Sequence, residues 1–204
     1  MSVRQPGHRL QRRVFFALLG AVHVIAFASF WAQAHGLVGE GGISPAVETF
    51  AQMGRVLSAR GEGAFTTVPT LAWWGAGDTA LHVFGAAGVV GGLLLAVGVA
   101  PRVLCAVLWL LYLSVFHVGG PFLRFQWDIL LIEATFAAIF YAPAGLWRPL
   151  AAQDEPSAAS LWVMRLLVFK VMLMSGVVKL TSGDPTWADG TALDYHYWTQ
   201  PLPH

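Results

Sequence analysis

Charge is what this chain has least of. Only 11% of its 204 residues are Asp, Glu, Lys or Arg, less than half of the ~25% usual in a soluble domain. Apolar residues make up 56%, more than a soluble fold of this length can hide from water. The formal net charge is +1, and no basic stripe lies outside the first thirteen residues, which excludes a nucleic-acid footprint. Cysteine is nearly absent too. Cys105 stands alone inside an apolar run, so an intrachain disulfide, a thiol redox motif and a thiolate metal site are all excluded. No ligand spacing resembles a zinc site, and neither a phosphate loop nor a nucleophile elbow occurs. No metal and no cofactor are therefore expected.

What is present points to a membrane. The 22 glycines and nine tryptophans suit packed membrane helices and their interfacial belts. The expected fold is an all-α, multi-pass transmembrane bundle of about five spans with one short interfacial helix. Residues 1–13 form a basic cytoplasmic segment carrying Arg4, Arg9, Arg12 and Arg13. Residues 14–180 hold the bundle, with spans near 14–34, 79–100, 103–118, 127–142 and 161–180. The first apolar stretch is longer than a signal-peptide core and further spans follow, so it reads as an uncleaved helix. After it, Ser44 and Pro45 mark a helix start. Val47, Phe50, Met53 and Leu57 then recur at helical spacing, which predicts an amphipathic helix in the interface. Pro69, Trp73 and Trp74 read as interface anchors. Gly88 and Gly92 have the spacing that lets two helices approach closely. Lys and Arg bias places the amino terminus in the cytoplasm and, after five spans, residues 181–204 outside.

Polar chemistry gathers at two places that this orientation puts on the same face. The turn before the fourth span reads FLRFQWD, with Arg124, Gln126, Trp127 and Asp128, and Glu133 follows deeper in the span. An ionisable group there costs several kcal/mol unless paired or wetted, and Lys170 and Lys179 on the fifth span are its natural partners. The last segment, broken from its helix by Gly183, Asp184 and Pro185, offers Asp184, Trp187, Asp194, Tyr195, His196, Tyr197 and Gln200. Aromatic rings with polar tips suit a contact surface at the headgroup level. His23 and His82 read as packing or hydrogen-bonding residues, and His117 lies nearer the outer mouth.

At these residues the sequence resembles the lipase maturation factor family. FLRFQWDILLIEATFAAIFYAP, from Phe122 to Pro143, and LTSGDPTWADGTALDYHYWTQPLP, from Leu180 to Pro203, carry the resemblance. IAFASFWAQAHGLVGEGGISP, from Ile25 to Pro45, and WLLYLSVF, from Trp109 to Phe116, extend it over essentially the whole chain. Trp198 stands where members commonly carry an acidic residue. A more distant likeness to the membrane bundle of vitamin K-dependent carboxylases concerns architecture alone. The resemblance implies a membrane-embedded factor that helps secreted lipases fold, without covalent chemistry. It also implies that the aromatic segment leads into further sequence bearing an extracytoplasmic domain. Membrane lipids, an exported lipase client, and a second chain or that further domain are the expected partners, and a bacterial inner membrane is expected over the endoplasmic reticulum. Two other readings stay open. One is an enzyme acting on a lipid or quinone-like substrate through the Glu133 and lysine cluster. The other is a structural subunit docking a second chain.

Overall fold

The computed structural model describes residues 7–146 and 154–199. Among them every regular element is helical. The chain divides into two compact units, residues 1–161 and 162–204.

The first unit is built on a long helix, α1 (Arg9–Val38). It starts and ends outside the expected 14–34 span because no breaker occurs before Gly39, whose N–H caps the carbonyl of Ala34 at 2.9 Å. Its 30 residues give about 45 Å of helix, longer than a hydrocarbon core of ~30 Å. The next helix, α2 (Ala46–Ala59), turns Ala46, Phe50 and Leu57 inward and leaves Val47 exposed. Ser44 does not cap it with its side chain. Its backbone N–H instead bonds to the carbonyl of Leu37 at 2.9 Å, which spends the loop's hydrogen bonding on closing α1. A short α3 (Ala64–Thr67) follows. The two adjacent tryptophans then part company. Trp73 bonds to the carbonyl of Val68 and sits edge-on to Phe50, with ring centroids 5.0 Å apart. Trp74 alone points outward, 77% exposed.

Helix α4 (Asp78–Val97) lies along α1, and glycines make that approach possible. A Cβ on Gly88 would enter the ring of Phe27, and one on Gly92 would stand 2.9 Å from the carbonyl oxygen of Gly20. Gly98, at φ 90°, ends α4 by donating to the carbonyls of Leu94 and Leu95. Only a residue without a Cβ adopts that conformation without strain. Pro101 then opens α5 (Pro101–Gly119) at its first position, where a missing N–H costs nothing. Helix α6 (Gln126–Tyr141) packs against α5 and buries Asp128, Leu131, Thr135 and Ala138.

Four helices among the described residues are long and apolar enough to cross a membrane: α1, α4, α5 with the 3₁₀ turn that extends it to Leu123, and α7 (Ala158–Thr181). The protein is thus an integral membrane helical bundle. Helix α6, where a span over 127–142 was expected, has 16 residues. That is about 24 Å, short of the hydrocarbon thickness.

The stretch before α7 ties back to the start of the chain. Arg9 pairs with Glu155 at 2.9 Å, the N–H of His8 donates to the same carboxylate at 2.9 Å, and Arg12 donates to the carbonyl of Asp154 at 2.6 Å. Arg9 and Arg12, among the basic residues that signalled orientation, are therefore also structural. Arg4, counted with them, lies outside the described residues.

In the second unit the carbonyl of Lys179 accepts from Ser182, and Gly183, at φ 71°, turns the chain away after α7. The aromatic segment that follows is helical rather than irregular, forming α8 (Pro185–Ala188) and α9 (Ala192–Thr199). Asp184 caps α8, accepting from the N–H of Thr186 at 3.0 Å and from its hydroxyl at 2.8 Å.

Candidate functional site

The candidates fall into two groups, one in each unit. In the first, the turn from Arg124 to Asp128 leads into α6. Arg124, Gln126 and Trp127 are exposed, and the ring of Trp127 stacks on Phe125 with centroids 4.8 Å apart. Such a stacked pair, at the start of an apolar helix, is a rigid face of the kind that suits a headgroup region.

Asp128 goes the other way. It is 2% exposed and accepts from the hydroxyl of Tyr112 on α5 at 2.7 Å. Its second oxygen accepts from the N–H of Phe125 at 3.3 Å, one half of the reciprocal arrangement that closes a helix start. The carboxylate expected at an outer mouth is thus folded into the α5–α6 contact. Glu133 is half-buried on the following turns. Its expected partners Lys170 and Lys179 stand on α7, in the second unit.

One layer further along α6, Thr135 completes the buried polar set. Its hydroxyl donates to the carbonyl of Leu131 at 2.6 Å and so has only lone pairs to offer His23, whose Nε2 lies 2.8 Å away. His23 therefore carries its proton on Nε2 and presents a bare Nδ1, which is buried with no hydrogen-bond partner. The imidazole stacks on Phe27 and meets Tyr112 edge-on. Thr135→Val is expected to strand the His23 N–H and to cost about 1–3 kcal/mol, read as a lowered midpoint of unfolding in detergent. His117, expected nearer the mouth, bonds along its own helix to the carbonyl of Leu113 at 2.7 Å.

In the second unit, Asp184, Thr186, Trp187, Leu193, Tyr195 and His196 line a cleft of about 430 Å³. Lys179 lies over the ring of Trp187, 5.0 Å from its centroid, close enough for a cation–π attraction. The arrangement brings together the aromatic and acidic residues singled out from sequence. Asp194 is exposed beside them on α9. Gln200 lies outside the described residues, and Tyr197 is placed only as part of the α9 backbone. Neither group contains three His, Cys, Asp or Glu side chains able to hold a metal among the described residues. The chemistry on offer is ring stacking, hydrogen bonding and charge, all suited to binding.

Tyr112, Thr135 and His35 were missed as polar partners. Tyr112 sits in an apolar run whose only cue is a phenol, and a buried phenol needs a partner. Thr135 gives no cue at all in an apolar helix.

The family described as lipase maturation factor transmembrane domain matches residues 10–204. Lipase maturation factor 2 of Gallus gallus is 43% identical over 208 residues, covering 96% of this chain and 28% of that protein. The Homo sapiens protein of the same name is 41% identical, over 97% of this chain and 29% of its own length. Lipase maturation factor 1 of Bos taurus is 32% identical, over 96% of this chain and 36% of its own length. The chain thus spans about a third or less of these relatives. No solved structure matches it.

Proposed function

The chain belongs to the lipase maturation factor family, and from that membership we propose that it is the membrane-embedded part of a folding factor for secreted lipases. It acts by non-covalent contact. The observation that carries the proposal is the cleft beside Trp187 and Tyr195 at the end of α7. Its rigid aromatic side chains lose little conformational freedom on binding and so make efficient contact residues. The lone Cys105 is buried, which fits a role without thiol exchange. In this reading the amino terminus is cytoplasmic, the α8–α9 segment faces the secreted client, and the membrane is a bacterial inner membrane.

The test begins in cells that make a lipase client and lack this gene. Restoring the chain should raise secreted lipase activity per transcript. The double variant Trp187→Ala/Tyr195→Ala should restore it several-fold less well, at unchanged membrane abundance. Full restoration by the double variant would remove the cleft from the mechanism. No effect of the wild-type chain would remove the folding-factor role from this chain alone.

A further inference from the structure

Where α1 ends and α4 begins, two imidazoles meet. Nε2 of His35 lies 2.8 Å from Nε2 of His82. On the far side of the His82 ring, the indole N–H of Trp31 donates to Nδ1 at 2.7 Å. On the far side of the His35 ring, Asp78 Oδ2 stands 3.4 Å from Nδ1. The other oxygen of Asp78 accepts from the backbone N–H of Glu40 at 3.0 Å. Two glycines make the row possible. A Cβ on Gly85 would stand 2.5 Å from Cγ of Trp31, and one on Gly39 would stand 2.8 Å from Asp78 Oδ1.

Proton positions follow from the indole, which can only donate. His82 Nδ1 must accept, so the single proton of a neutral His82 sits on Nε2 and points at His35. His35 Nε2 must then accept, so the proton of a neutral His35 sits on Nδ1, facing Asp78. The row is complete only when both rings are neutral and of opposite tautomer.

We infer that the His35–His82 pair is an acid-sensitive latch between the last turn of α1 and the first turns of α4. One added proton sets two N–H groups face to face across 2.8 Å, or sets a His82 N–H against that of Trp31. Either way one hydrogen bond of the row breaks. Asp78 is the carboxylate that receives the new charge. The other acidic group at this corner is Glu40, whose Oε1 lies 2.6 Å from where a Cβ on Gly77 would be. His35 lies in the last turn of α1 and His82 in the first turns of α4, both exposed at the surface of the chain, and imidazole is the side chain that ordinarily titrates between pH 5 and 8. The same count separates the pair from a metal site. A neutral His82 ligating through Nε2 would need its proton on Nδ1, where the Trp31 N–H already points.

The latch does not depend on the lipase reading. It is tested on the full chain in lipid nanodiscs with ¹⁵N-labelled histidine, using His35→Gln and His82→Gln to assign the two rings. At pH 8 the spectrum should show an unprotonated Nδ1 on His82 and an unprotonated Nε2 on His35. As pH falls toward 5 one of these signals should be lost and the other should shift in the same step, because the two rings share the bond that the first proton breaks. In Trp31→Phe the fixed His82 tautomer should be lost at pH 8, while the chain still elutes as folded protein. Like tautomers at pH 8 would overturn the latch. So would a His35 transition that His82→Gln leaves unmoved.

Discussion

Gly20→Val is expected to be the most damaging single substitution in the bundle, costing about 3 kcal/mol or more, the upper end of overpacking effects. A Cβ at Gly20 would stand 2.5 Å from the amide nitrogen of Ala96, 2.6 Å from the carbonyl oxygen of Gly92 and 2.8 Å from the Cα of Ala96. All three atoms are backbone, so no rotamer change relieves the clash. The helices must separate, and the contacts of Phe27 with Gly88 and of Val24 with Gly92 go with them. Gly36→Ala is the matched control. Nothing lies within 4 Å of its Cβ position, so alanine there should be neutral or stabilising by up to ~1 kcal/mol through helix propensity. Reversible unfolding in mixed detergent micelles reads both. A Gly20→Val protein as stable as its parent would mean that α1 and α4 do not pack as described.

Asp128→Ala should rank next, at about 2–3 kcal/mol. It strands the buried hydroxyl of Tyr112, which is 4% exposed, and it releases the N–H of Phe125 that holds the turn before α6. An unpaired buried donor costs its full desolvation. The double variant Tyr112→Phe/Asp128→Leu removes both ends of the bond, so it should cost less than the two single changes summed. Simple additivity in that cycle would show that the 2.7 Å contact contributes no coupling. Secreted lipase activity in the complementation test proposed above, measured alongside, separates two roles. A bracing role loses activity in proportion to folded protein, whereas a contact role loses more.

Why some of this was legible and some was not follows from what each feature depends on. A helical membrane bundle follows from the scarcity of charge. Gly88 and Gly92 announced a close helix pair because their spacing puts both on one helical face, and α1 does pack there. The orientation of Asp128 was not legible, because a carboxylate in the first turn of a helix is equally at home in water. Only the register of α5 against α6 brings Tyr112 to it. The two short helices after Gly183 escaped for another reason. A helix of four residues, such as Pro185–Ala188, is too short to show a period. His35 and His82 lie on different helices, separated by 47 positions, and no local pattern ties them.

The ties from His8, Arg9 and Arg12 to Asp154 and Glu155 impose an order on biosynthesis. His8 and Glu155 are separated by 147 positions, and ribosomes add ~5–20 residues per second, so the carboxylate emerges roughly 7–30 s after the residues it holds. Arg9 and Arg12 are thus made well before the groups they hold. Closure then waits until α6 has been made. The ties that hold the amino terminus therefore close only once the first unit is complete.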